Sequence, residues 1–182
     1  MIDLQPRQAQ ATAAKGVLYL LFHLAGQRFA LDVREVVEVL PLRVLKPIAQ
    51  APHWVAGILA HRGALVPVID IGALAFGVPA PQRTSTRLVL VHYRANAARP
   101  GLQLGLILEQ ATDTLRCQPD EFHPYGLDNA EAPYLGPVRQ DAQGLLQRIR
   151  VDDLLTADSR ALLFPADSRA LLFPADAGQV PG

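Results

Sequence analysis

The sequence predicts a mainly β protein, an all-β barrel or sandwich with only short helices, and three observations carry that prediction. Short runs of Leu, Val and Ile recur along the chain, turn residues interrupt them roughly every eight to twelve positions, and helical periodicity never persists. About ten strands result, a density that argues against a doubly wound nucleotide-binding fold. A chain of 182 residues, half of them hydrophobic, can bury a sizeable core as one domain or as two small subdomains sharing one.

Residues 1–16 carry no periodic pattern and read as a flexible or weakly helical leader. Leu18 to Leu24 is a strong strand, Ala25-Gly26-Gln27 a turn, and Arg28 to Leu31 the returning hairpin partner. Asp32 caps a short helical turn that passes into an extended Val36-Val37-Glu38-Val39-Leu40, because β-branched residues and Pro41 oppose further helix. A short strand is expected around Val44 to Ile48, then a helical turn through His53-Trp54-Val55. The segment from Gly57 to Ile71 follows as two apolar strands joined at His61-Arg62-Gly63, their only polar break. An arginine held at such a turn either recognises a carboxylate or carbonyl edge on a partner or is simply solvated.

Ile71 to Phe76 can make one or two helical turns, and the proline-rich, basic connection over residues 77–87 is the natural subdomain boundary. Strands are then expected over Thr86 to Tyr93, Leu102 to Leu108 and Ala111 to Arg116. Pro119 to Pro137 holds four prolines and reads as a long irregular connection. Gly144 to Arg150 is a further strand and Val151 to Leu155 a short helix, with Asp152-Asp153 as capping residues, not a catalytic pair. The body therefore spans residues 17–157, and residues 158–182 form a tail. A nine-residue segment, Ala157-Asp158-Ser159-Arg160-Ala161-Leu162-Leu163-Phe164-Pro165, recurs unchanged as Ala166 to Pro174. Two copies are too few for a solenoid. Either the segment tolerates duplication, its first copy packing on the domain, or each Leu-Leu-Phe docks in a partner groove as a linear motif.

Seventeen basic residues balance seventeen acidic ones, so no net field draws the protein to nucleic acid or anionic lipid. The arginines at 83, 87, 94 and 99 lack the interleaved aromatic residues that stack bases, and read as a solvated loop. No apolar run approaches the roughly 18 residues that span a bilayer, and a single cysteine, Cys117, suits a reducing compartment, so a cytoplasmic location is expected. The five histidines show no metal-ligand spacing, Cys117 has no base partner in sequence, and no phosphate-cradling loop or serine elbow occurs. No catalytic activity, cofactor or metal is expected. The competing reading is a small β-barrel ligand-binding protein or enzyme that uses Cys117 or the histidines in a deep pocket lined by His53, His61 or Cys117.

Phe22 to Val33, Val36-Val37-Glu38-Val39, Val55 to Gly63, Val66-Pro67-Val68-Ile69-Asp70-Ile71 and Gly105-Leu106-Ile107-Leu108 together resemble the CheW-like chemotaxis coupling proteins, in order from about Val17 to Leu155. The resemblance implies two five-stranded SH3-like β-barrel subdomains sharing an apolar core. It also implies a non-catalytic adaptor, at membrane-associated receptor arrays, between the tip of a methyl-accepting chemoreceptor and a CheA-type histidine kinase. Glu38 and Arg62 match that family's polar contact positions, and Val36, Val39 and Gly57 its neighbouring ones. Where many members carry Asn-Leu-Arg-Gly, this chain has Ala60-His61-Arg62-Gly63, a difference that, with the duplicated tail, suggests an auxiliary chemosensory pathway.

Overall fold

The computed structural model describes residues 16–95, 99–126 and 130–165, so the leader up to residue 15 and the second copy of the repeat lie outside the described residues. Nine strands and two short α-helices follow in chain order: β1 (Val17–Leu24), β2 (Gln27–Asp32), β3 (Val36–Pro41), β4 (Val55–His61), β5 (Ala64–Asp70), α1 (Ile71–Phe76), β6 (Arg87–His92), β7 (Gln103–Cys117), β8 (Leu135–Asp141), β9 (Gly144–Ile149) and α2 (Ala157–Leu163). The chain is mainly β, and its ladders divide into two five-stranded units that share β7. In the first unit the order is β3-β6-β7-β5-β4; in the second it is β7-β1-β2-β9-β8.

The sharing depends on one bend. Sequence reading places a break at Glu109-Gln110 and a separate strand after it, but β7 runs unbroken through 15 residues. Gln110 takes a left-handed φ of 50°, and Ala111 turns its N–H out of the ladder to the Ser85 carbonyl at 3.2 Å. Across this bulge the register with β1 jumps from His23↔Glu109 to Leu21↔Asp113. Up to Leu108 β7 pairs with β5 and β6, and from Glu109 onward with β1.

Three apolar clusters fill the fold. The largest lies between the units and takes Phe22 and Leu24 from β1, Phe29 and Leu31 from β2, Ile69 from β5, Val89 and Val91 from β6, and Leu104, Leu106 and Leu108 from β7. The first unit encloses Leu40, Leu59, Val66, Val68, Leu88 and Leu90, and the second Tyr19, Ala30, Cys117, Phe122 and Leu146. Strand β6 sends Leu88 and Leu90 into one cluster and Val89 and Val91 into the other, which is why it reads as a continuous apolar run instead of an alternating one. Gly105 makes room for the first unit's own core: a Cβ there would stand 2.7 Å from Val68 Cγ2 and 3.4 Å from Leu88 Cδ1.

Local chemistry sets the boundaries. Asp32 accepts the Arg34 N–H at 2.9 Å and caps the 3-10 turn Val33–Glu35. Asp70 caps α1 through the Ala73 N–H at 3.2 Å and holds the following connection through the Ala80 N–H at 2.9 Å. In the second unit Arg28 meets Asp141 with two bonds of 2.8 and 2.9 Å, tying β2 to the β8–β9 turn. Two expectations are corrected. Val44 to Ile48 forms only a bridge between Lys46 and Ile58, because Pro47 lacks an N–H to extend a ladder. The irregular connection gives way to β8 at Leu135, and His123 already bridges Val138. The first repeat copy forms α2 under a Thr156 cap and buries Leu163 in the large cluster.

One carboxylate is out of balance. Glu35 leaves Oε2 buried without a hydrogen-bond partner, and burial pushes its pKa from 4.5 to about 7 against the favourable charge of Arg148, with Asp32 and Asp152 adding to the rise and Arg94 opposing it. A carboxyl whose pKa is raised on folding binds a proton more tightly in the native state, so its contribution to stability falls as pH climbs from 4.5 towards 7. Glu35→Gln should stabilise the fold by about 1–2 kcal/mol near neutral pH, with the gain vanishing below about pH 4. Thermal melts of both chains across that range check it; a gain independent of pH contradicts the assignment.

Candidate functional site

The β4–β5 hairpin closes on a two-residue turn in which Arg62 (φ 50°) and Gly63 (φ 76°) are both left-handed, the arrangement whose twist suits tight antiparallel strands. Glycine enters that conformation freely, whereas Arg62 does so at a cost of about 1 kcal/mol, met by the ladder on either side. The turn thus fixes the direction in which the arginine leaves the backbone. Its side chain is 77% exposed.

Glu38 rises from β3, at the opposite edge of the first unit's ladder order from β4. Its Oε2 accepts a hydrogen bond from His61 Nε2 at 2.8 Å and its Oε1 one from Arg62 Nη2 at 3.3 Å. A carboxylate can only accept, so His61 carries its proton on Nε2 here. The His61 bond, aided by the Arg62 charge, lowers the Glu38 pKa below the ordinary carboxylate value. This clasp ties two edges that share no strand pairing. His61 is the inner member, its side chain only 10% exposed, and Arg62 the outer one.

Around the clasp, Val37, Glu38, His61, Arg62, Ala64 and Gln103 line an open concavity of about 490 Å³. Val37, which lines this concavity, is 38% exposed, and Val39, further along β3, is 44% exposed. The result is a charged pair beside exposed valines, a composition suited to protein contact: apolar anchors with orienting charges.

The sequence-derived candidates separate into surface and support. Glu38, Val39 and Arg62 reach solvent. Val36 is half-buried against the large cluster and opposite Val91. Gly57 is buried at φ 145°, where an added Cβ would stand 2.5 Å from the Lys46 carbonyl oxygen, so it admits the chain crossing above it instead of touching a partner. Sequence reading missed His61 as the link between Glu38 and the hairpin, along with Val37 and Gln103. No local signal marks them, because the partners lie 23 residues apart and on different strands.

The residues of the competing pocket reading lie in three environments. Cys117 is enclosed with Tyr19 and Phe122, and burial raises its thiol pKa, which favours the inert protonated form. His61 belongs to the clasp, and His53 points its Nε2 at the Ala73 carbonyl, 3.3 Å away. Among the described residues no three His, Cys, Asp or Glu side chains gather as a metal centre, and no helix is long and apolar enough to cross a membrane.

Two outcomes follow from this geometry. Gly57→Ala should destabilise the fold by about 2 kcal/mol or more, since the new methyl meets backbone that cannot rotate away, and a chemical denaturation curve reads the loss. Glu38→Gln should lower Tm near neutral pH, and the gap to the unsubstituted chain should close as pH falls through the depressed Glu38 pKa, where the native carboxylate also gains its proton. A gap that stays constant down to about pH 3 contradicts the clasp.

A family model described as the CheW-like domain matches residues 18–159. The chemotaxis protein CheW of Rhizobium meliloti is 25% identical over 105 residues, 58% of this chain, and the match spans just under two thirds, 64%, of that protein's length. The chemotaxis protein CheW of Helicobacter pylori is 23% identical over 167 residues, 86% of this chain and 96% of that one. Among solved structures, the scaffolding protein TtCheW from Thermoanaerobacter tengcongensis superposes with a TM-score of 0.66 at 20% identity, covering 79% of this chain and 90% of the other, which establishes a common fold. With nine strands in two units sharing β7 and a family match across most of its length, the chain belongs to the CheW-like domain family.

Proposed function

We propose that the chain is a non-catalytic coupling adaptor that bridges the cytoplasmic tip of a methyl-accepting chemoreceptor to a CheA-type histidine kinase, in an auxiliary chemosensory pathway. Family membership supports the coupling role. The observation that carries the assignment of the contact surface is the Glu38–His61–Arg62 clasp, which holds a carboxylate and a largely exposed guanidinium in fixed geometry beside Val37 and Val39. Among the described residues Glu38 is the one polar partner of Arg62, through a single long bond, so most guanidinium donors face outward for a carboxylate or carbonyl of a partner.

The mechanism is geometric. A scaffold whose two units share a strand and a core moves as one body, so a partner held at the clasp keeps a fixed orientation to a partner held elsewhere on the surface. Receptor rearrangement then biases the kinase between active and inactive arrangements through differential contact, without chemistry in the adaptor. His61, standing where many relatives carry Leu, makes a hydrogen bond to Glu38 that a leucine cannot make, which supports a dedicated partner set.

Arg62→Glu and Glu38→Arg should each leave the circular dichroism spectrum and the cooperative melt in place while weakening co-purification of receptor tip or kinase by about tenfold or more. Unchanged binding of both partners in both variants removes the clasp from the interface.

A further inference from the structure

The first copy of the nine-residue repeat is a bound ligand in all but covalent connection. Leu163 is 2% exposed and belongs to the large core cluster. Phe164 stacks on Tyr93 with ring centroids 5.2 Å apart and planes 14° from parallel. Arg99, from the loop between β6 and β7, donates through Nη1 to the Phe164 and Pro165 carbonyls at 3.1 and 2.8 Å, closing the end of α2. These contacts use two apolar side chains and two main-chain carbonyls. The second copy supplies the same side chains, as Leu172 and Phe173, and carbonyls at the corresponding places.

We propose that this seat, built by Tyr93, Arg99 and the core edge under Leu163, is a binding site for either copy, so that the C-terminal segment docks in two registers nine residues apart. The two states are not equal. Thr156 caps α2 by accepting the Ser159 N–H at 3.2 Å, whereas Pro165 precedes the second copy and has no side-chain acceptor. Seating the second copy also loops out the nine residues 156–164, and closing that loop costs entropy. The first copy therefore occupies the seat in the unperturbed chain, and the second takes over when the first is removed by a partner or by substitution. In that state the looped-out residues present an unseated Leu162-Leu163-Phe164 to solvent, an apolar segment that the first register keeps largely docked. This inference stands independently of the signalling role.

The test uses the full chain in four forms: unsubstituted, Leu163→Ala with Phe164→Ala, Leu172→Ala with Phe173→Ala, and all four substitutions. Hydrogen exchange read by mass spectrometry reports which copy is protected, and thermal melts report its contribution. When the first copy is disabled, residues 166–174 should exchange more slowly than in the unsubstituted chain. The chain with all four substitutions should melt about 3 °C or more below the one with only the first copy disabled, and disabling the second copy alone should leave Tm within about 1 °C. A synthetic Ala-Asp-Ser-Arg-Ala-Leu-Leu-Phe-Pro peptide should raise the Tm of the fourfold variant with increasing concentration. Equal exchange of residues 166–174 in the two chains, together with equal melting of the twofold and fourfold variants, overturns the proposal. If the chain with the first copy disabled fails to fold, Phe164→Ala alone, which leaves the core leucine in place, gives the exchange comparison, and unchanged exchange of residues 166–174 in that variant overturns the proposal.

Discussion

The fold depends on the bend in β7. A strand that ended at Glu109 would leave two five-stranded sheets joined by loops and free to hinge, whereas a single strand through the Gln110 bulge gives each unit one edge of the same backbone. The large apolar cluster then forms on both sides of that strand's path, drawing on β1 and β2 from one unit and β5 and β6 from the other. Neither unit can rotate without breaking ladder hydrogen bonds and opening this cluster together, which is the rigidity that a scaffold needs.

Rigidity places the clasp in a definite position. Glu38 and the His61-Arg62 turn stand at the two edges of the first unit, and their ion pair and hydrogen bond join edges that no ladder joins. An isolated exposed pair adds little stability, and Arg62, largely in water, contributes less to holding the fold than to displaying charge. His61 is different, because it is nearly enclosed and gives Glu38 its stronger bond. The site therefore divides labour between an inner histidine that orients the carboxylate and an outer arginine that displays its charge to solvent, with Gly57 making room for the Lys46 crossover.

Much of this architecture was legible in the residues. Doubly buried strands such as Leu88 to Val91, the Asp32 cap and the Arg62-Gly63 turn all announce themselves through local chemistry, since each follows from period, φ preference or a side-chain acceptor next in sequence. What escaped was non-local. A left-handed glutamine inside a strand looks like a strand end, because the residues that carry β7 past Gln110 are its partners on β1, far away in sequence. Strand β8 hid behind Gly136 and Pro137, which read as loop residues and fall in the ladder irregularity between the Leu135↔Ile149 and Val138↔Gln147 pairs. At the site, Glu38 and Arg62 were identified by resemblance, but their bond to each other through His61 could not be read from positions more than twenty residues apart in sequence.

The central claim is that partners engage the face around the clasp. Amide chemical-shift mapping of the isotopically labelled chain, titrated in turn with a receptor cytoplasmic tip and with the kinase's regulatory region, tests it most directly. The account predicts that at least one titration concentrates its perturbations on Val37 to Val39 and His61 to Ala64 while the ladder around Gln110 stays in place. Perturbations from both partners confined to the second unit, at the β8–β9 turn and away from Glu38 and Arg62, would contradict it.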